Sequence, residues 1–406
     1  MPRVLFLSPG YPSEMPHFVR GLAEVGAEVL GVGDGAPALL SPRVRGALSD
    51  YLRVRSLWEE DAVVEAVKRW LGARTVDRVE CLWEPGILLA ARIREAVGAP
   101  GLSVARSVPF RNKESMKQVL DDAGIRTPRH RAARGASAMR DAAATIGFPL
   151  IVKPIAGAGS ADTHRVESGR ELETVITATR HIEEVSVEEF IDGEEYTFDT
   201  VSIAGEPAFH NIAWYRPRPL VARTQEWISP QVVALRFPDQ PELAGGVEMG
   251  RRVIAALGFG TGFTHMEWYR KSDGEVVFGE IGGRPPGAHQ VDQMNFSCDV
   301  DVFRGWAEAV CFGTFSERVR RLYNVANVYK RAQGEGTIRA VEGLEEFRAR
   351  HREALVWENL LPVGARRRNW RQTLVSDGFV VVRHPDLAAT LAIADEFAER
   401  VRLIAA

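Results

Sequence analysis

Thr264-His265-Met266-Glu267 and, one turn later, Glu280-Ile281-Gly282-Gly283-Arg284-Pro285-Pro286-Gly287 are the stretches on which the reading of this chain turns. Residues 264–269 and 275–281 read as strands, and Ser272-Asp273-Gly274 between them is a turn signal, so the pattern predicts a β-hairpin. Alternation places His265, Glu267 and Tyr269 on one face. An even-length loop brings Glu280 to that same face, directly opposite or diagonal to Glu267. Two carboxylates so placed repel each other unless a cation lies between them. Oxygen-only ligands completed by substrate phosphates suit Mg²⁺, with Mn²⁺ admitted in its place. Arg284, four residues on, can clamp phosphate or developing oxyanion charge. The bland alternative is a half-exposed hairpin with a solvated charged face.

Two upstream stretches have chemistry of their own. Phe148 to Lys153 reads as a buried strand delivering a lysine, and Gly157, Gly159 and Ser160 follow in a loop whose small residues let backbone N–H groups close around an anion. It is not a P-loop, because the lysine precedes the glycines. Val187-Glu188-Glu189-Phe190-Ile191 is an apolar strand passing into carboxylates. Glu194 and Glu195 lie just beyond it. Either stretch could be an ordinary surface turn. Lysine occurs only six times against 45 arginines, so a lysine at a chemically suggestive place carries weight.

With 406 residues the chain predicts two or three domains. A formal charge of −3 offers no basic excess, so neither nucleic acid nor an acidic membrane is an expected partner. Three cysteines without zinc spacing exclude a disulfide framework and point to a reducing cytoplasm. No signal-peptide pattern and no membrane-length apolar run occur, so the expected location is cytoplasmic. Predicted strands at 4–7, 27–32, 51–54 and 76–82 alternate with helices at 18–25, 61–71 and 87–97, a βαβα pattern with a parallel sheet. No glycine fingerprint follows the first strand, which argues against a nicotinamide enzyme. Helices are expected at 113–123, 136–146, 170–180 and 242–257. Strands flank Gly205-Glu206-Pro207, 215–230 reads as irregular, and an α+β stretch closes on a helix at 387–403.

Taken together these elements resemble the ATP-grasp superfamily, most closely its carboxylate–amine ligases and their L-amino acid ligase-like branch. Asn112-Lys113 through Thr127-Pro128 is similar to the family's opening helix, 148–153 to its second lysine strand, 157–160 to its phosphate-covering loop, and 188–195 to its adenine hinge. The resemblance implies an α/β and α+β molecule. A Rossmann-like pre-ATP-grasp domain would occupy 1–110, an ATP-grasp small lobe with its lid 111–192, and a large lobe with a C-terminal α+β part 193–406. It further implies that Lys113 and Lys153 contact ATP phosphates under Gly157, Gly159 and Ser160. Glu188, Glu189, Phe190 and Ile191 would frame the adenine, and Glu195 the ribose. Glu267 and Glu280 would hold Mg²⁺, and Arg284 would be catalytic. ATP would phosphorylate a carboxylate, and an amine would displace phosphate to give an amide.

Two departures mark the branch. Gly282 stands where many members carry an asparagine ligand, and Ser160-Ala161-Asp162 replaces a further loop glycine. Substrate candidates are Glu84 at the end of the fourth strand, Glu226 in the arginine-rich stretch 214–229, His265, Gly287 and His289. The arginines of that stretch could receive a carboxylate and Glu226 an ammonium. Small-molecule carboxylate and amine substrates are the expected partners, and a homodimer is one assembly this reading allows. The rivals are an ATP-grasp enzyme of nucleotide-precursor or carboxylase type and a non-catalytic ATP-binding protein.

Overall fold

The computed structural model describes residues 1–155 and 162–406. Gly157, Gly159 and Ser160 therefore lie outside the described residues.

At the N-terminus, Arg3–Leu7 pairs in parallel with Glu28–Gly33 on one side and Arg78–Glu80 on the other. Asp50–Arg53 forms the far edge. The central strands are apolar on both faces because both faces are covered. Leu5, Leu7 and Leu30 pack with Val67 of the helix Glu60–Leu71 and Ile93 of the helix Ile87–Val97. Val4 and Phe6 belong instead to a core that contains Phe18 of the helix Met15–Glu24 and Trp306 of the helix Val302–Phe312. Phe18 meets Trp306 edge-on at 5.2 Å, so the second half of the chain forms part of the N-terminal core.

A smaller antiparallel sheet runs His130–Ala133, Val185–Glu189, Leu150–Pro154, His164–Val166. The helices Gly135–Ile146 and Gly169–Ala178 bury their apolar sides on it. The large antiparallel sheet runs Val276–Gly282, Gly262–Arg270, Glu194–Ile203, Ala213–Arg216, Gln231–Ala234, Asn324–Tyr329, Gly378–His384, Leu355–Leu360, with Glu206–Asn211 hairpinned onto Glu194–Ile203. Met266, Trp268 and Phe278 share a core with Val253 of the helix Pro241–Ala256. That packing turns the alternate residues, 265, 267 and 269, to the sheet's other face. Among the described residues no helix is long and apolar enough to cross a membrane.

Several local expectations are corrected. The strand predicted at 76–82 is only Arg78–Glu80, and the helix Pro42–Ala47, N-capped by Ser41, was not foreseen. The stretch 215–230 is not wholly irregular, because Ala213–Arg216 joins the large sheet and Pro219–Ala222 makes one helical turn. The last helix stops at Arg400, and Arg402–Ala405 becomes a strand antiparallel to Ile338–Glu342. Helical periodicity cannot register that final switch, since the partner strand lies some sixty residues earlier.

Candidate active site

The hairpin Gly262–Arg270/Val276–Gly282 reaches its carboxylate pairing by an unexpected route. Arg270 pairs with Val276 and Trp268 with Phe278; continued unchanged, that register would set Glu267 against Gly279 and turn Glu280 to the opposite face. A one-residue bulge at Gly279 shifts the register, so Glu267 sits directly opposite Glu280. The expectation of an even loop was wrong, and the bulge restores the parity. Only glycine fits there, because a Cβ at 279 would lie 2.8 Å from the Glu267 carbonyl oxygen.

The neighbouring strand Glu194–Ile203 extends the same face. Asp199 lies opposite His265, Thr197 opposite Glu267 and Glu195 opposite Tyr269. His265 Nδ1 is 2.6 Å from Asp199 and Nε2 is 3.5 Å from Glu267. Burial would lower the imidazole pKa, but Asp199 and then Glu267 push it up to about 9. Burial likewise works against ionised Glu267, yet His265 and Arg284 hold it below the ordinary carboxylate range. The Tyr215 hydroxyl donates to Glu267 at 3.3 Å.

Three lysines converge on this face. Asn112 caps the helix Lys113–Asp122 by accepting from the N–H groups of Glu114 and Ser115, and Lys113 and Lys117, four apart, share its buried side. Lys113 Nζ lies 3.0 Å from Glu280. Lys117 and Lys153 both grip Glu188, at 2.5 Å and 2.9 Å, and Ser186 donates to it at 2.8 Å. The grip follows from register. Ser186 is paired with Lys153 across two antiparallel strands, which makes Glu188 the diagonal neighbour of that lysine. Burial opposes a charged Glu188, but the two ammonium groups hold it far below the usual carboxylate range. Desolvation lowers Lys117, while Glu188 and Glu280 hold Lys153 up against the same burial. The short contacts and the doubly compensated carboxylate make the cluster ionised. Glu188 is thus the fixed centre of a buried ion cluster.

Glu189 spends its carboxylate on Arg126 and Arg129, and its N–H donates to the Arg129 carbonyl at 2.8 Å. Phe190 donates its N–H to Pro149, and its ring is faced by Arg165 and Arg218. Arg218 also donates to the Ile191 carbonyl at 2.7 Å and pairs with Glu195 at 3.2 Å. Burial, then the nearby Glu267, raises the Glu195 pKa to about 8 in spite of Arg218. The expected adenine edge is therefore partly committed within the chain.

Lys113, Lys153, Glu188, Glu189, Phe190, Ile191, Glu195, His265, Glu267, Glu280, Arg284 and Glu84 all line one cleft of about 1060 Å³. A second cavity, of about 1480 Å³, shares His265, Glu267 and Arg284 with it and contains Gly287. Glu84 accepts from Arg284 at 2.6 Å and from Arg111 at 2.5 Å, a contact across 200 residues that ties the N-terminal unit to the site. Burial would raise the Glu84 pKa, but the two guanidinium groups hold it down. Two substrate candidates fall outside both linings. Glu226 is bound to Arg367 at 2.6 Å, and His289 stacks on Phe379 and meets Asp292 at 3.1 Å. Local sequence could show neither Arg367 nor Phe379, whereas Asp292 is one helical turn from His289.

Lys117, Asp199, Thr197 and Tyr215 were not singled out, and Arg218, expected to receive a substrate carboxylate, is instead engaged with Glu195 and the Ile191 carbonyl. For the strand residues a signal existed, since Glu195, Thr197 and Asp199 alternate with Tyr196 and Phe198. Among the described residues no group of three or more potential metal-ligating side chains stands together. The donor set is two facing carboxylates, which fits Mg²⁺ completed by substrate phosphates and water and does not fit a closed protein cage.

Residues 118–291 match the ATP-grasp domain family, the stretch that holds most of the cleft's lining. Over 215 residues the chain is 26% identical to the L-arginine-specific L-amino acid ligase of Bacillus subtilis, covering 51% of each protein. Over 181 residues it is 34% identical to a D-alanine--D-alanine ligase of Xanthomonas axonopodis pv. citri (strain 306), covering 41% of this chain and 55% of that one. The chain spans about half the length of the curated relatives it matches. The crystal structure of an L-amino acid ligase from Bacillus licheniformis superposes over 100% of this chain and 99% of its own, with a TM-score of 0.80 at 21% identity, a likeness of fold.

Proposed function

We propose that this protein is an ATP-dependent ligase that joins a carboxylate, an amino acid, to an amine and releases ADP and phosphate. The observation that carries the reading is the shared wall: His265, Glu267 and Arg284 line both the lysine-rich cleft and the second cavity. A γ-phosphoryl group held in the first can meet a carboxylate held in the second. A carboxylate oxygen attacks the γ-phosphorus and ADP departs; the amine then attacks the acyl carbon, phosphate departs, and the nitrogen loses a proton. Positioning and charge neutralisation dominate such transfers. Lys113 and Lys153 bind phosphates, Arg284 steadies the transferring group, and Arg218 with Phe190 frames the base. Glu195 serves the ribose once Arg218 gives way. Glu267 and Glu280 would hold Mg²⁺, which when bound neutralises phosphate charge.

In this reading 1–110, 111–192 and 193–406 act as N-terminal unit, small lobe and large lobe. A reducing cytoplasm suits the three unbridged cysteines Cys81, Cys298 and Cys311. The test is phosphate release from ATP and Mg²⁺ across a matrix of paired amino acids and small acids, with products identified by mass spectrometry. Release that needs a carboxylate and an amine together, with the condensed product seen, supports the ligase. Release driven by bicarbonate or a nucleotide-precursor amine would replace it with the other ATP-grasp chemistries. Tight ATP binding with silence throughout would favour a non-catalytic role.

A further inference from the structure

The second cavity is cationic at the end remote from the shared wall. Arg223, Arg331 and Arg371 line it beside the indole of Trp370, whereas Glu267, on the shared wall, is the one carboxylate among the described lining residues. The Arg331 and Arg371 guanidinium carbons lie 4.5 Å and 5.2 Å from the Trp370 ring centroid. Arg331 is 7% exposed. Its Nη1 donates to the carbonyls of Ala222 and Gln225, both at 2.8 Å, while its Nε is buried without a partner. Glu226 and Asp377 act on Arg331 through their charge, but the contacts of each go elsewhere. Glu226 pairs with Arg367, and Asp377 accepts from the backbone N–H groups of Ala332 and Arg368. Burial draws the Arg331 pKa down to about 10 and lowers that of Arg223. The free protein thus holds desolvated positive charge that an incoming anion would relieve.

We propose that this cavity takes a substrate whose far end bears an anionic group, a carboxylate or a phosphate, and that it turns cationic side chains away. The inference rests on the ligase reading for calling the bound molecule a substrate. The selectivity itself is a matter of binding. Arg331 and Arg223 read the anion through charge-assisted hydrogen bonds, and the Trp370 indole covers the apolar stem.

Calorimetric titration of the whole chain, saturated with ADP and Mg²⁺, tests it with L-glutamate, L-glutamine, L-arginine and O-phospho-L-serine. Glutamate or phosphoserine should bind about tenfold tighter than glutamine, and arginine more weakly than glutamine. Which anion leads distinguishes carboxylate from phosphate. Arg331→Met should erase the preference while ADP and glutamine affinities stay as they were. Should that buried change prevent folding, Arg223→Gln and the exposed Arg371→Gln read the same loss. Equal binding of glutamine and glutamate, tighter binding of arginine, no binding by any probe, or an undiminished preference in the variants overturns the inference. Phosphate release recorded with the same compounds separates the two claims. Release that depends on arginine and not on anions overturns the cavity's selectivity and leaves the ligase standing. Anion-selective binding without release from any pair sinks the ligase and leaves the selectivity.

Discussion

Replacing Glu188 by glutamine should damage this protein more than replacing either lysine that grips it. The cluster holds two ammonium groups and one carboxylate, with Lys117 Nζ at 2.5 Å and Lys153 Nζ at 2.9 Å from Glu188. Lys117 is 0% exposed and Glu188 3%. Glu188→Gln leaves two buried cations facing each other, and removing one partner of a buried pair costs about 3–5 kcal/mol. Lys117→Met removes the surplus cation instead and leaves Lys153 and Glu188 balanced, an exchange expected to cost about 1 kcal/mol or less. Urea unfolding followed by circular dichroism measures both, with an unchanged m-value confirming that the same surface is exposed. The pH dependence adds a second check. Against burial, Lys117 and Lys153 hold the folded-state pKa of Glu188 far below the ordinary 4.5. Its contribution is therefore present in full above the unfolded value and is lost only as pH falls toward the folded one. The deficit of Glu188→Gln should accordingly stay constant through neutral pH and shrink in acid. A deficit under about 1 kcal/mol, or a Lys117→Met variant less stable than Glu188→Gln, would refute the reasoning.

Glu267→Gln and Glu280→Gln should each abolish phosphate release in protein that still folds, as an unchanged circular dichroism spectrum would show; turnover at the parent rate in either would remove the metal role assigned to the pair. Gly279→Ala should cost about 1–3 kcal/mol and depress phosphate release, because its Cβ would fall 2.8 Å from the Glu267 carbonyl oxygen and unseat the bulge that aligns the carboxylates. His130 lies 3.0 Å from both Glu114 and Asp121. Burial lowers its pKa, but these hydrogen bonds outweigh burial and hold it above the ordinary 6.5. Its stabilisation is fully present below pH 6.5 and is lost as pH rises through the folded value. The melting-temperature gap between the parent and His130→Gln should therefore narrow with rising pH, and a gap that widens would contradict the assigned partners.

Much of the scaffold was legible in the residues because it rests on local periodicity. Alternation fixed the shared face of His265, Glu267 and Tyr269, and the helix start at Asn112 placed Lys113. Short-range signals also located the strand that delivers Lys153 and the parallel N-terminal sheet. Other features depend on partners far away in the chain, and no local pattern encodes them. Glu84 meets Arg284 across 200 residues, and Glu226 is taken by Arg367 across 141. The bulge at Gly279 became visible only when the strands were paired, since a one-residue slip reverses every side chain and periodicity cannot count an unpaired residue. The sequence by itself determined which side chains share a face of a strand or helix, because backbone geometry fixes those repeats. Only the tertiary structure decided which charges neutralise one another and which arginines of the second cavity are left without a carboxylate, because Coulomb pairing and burial depend on distances that the fold alone sets.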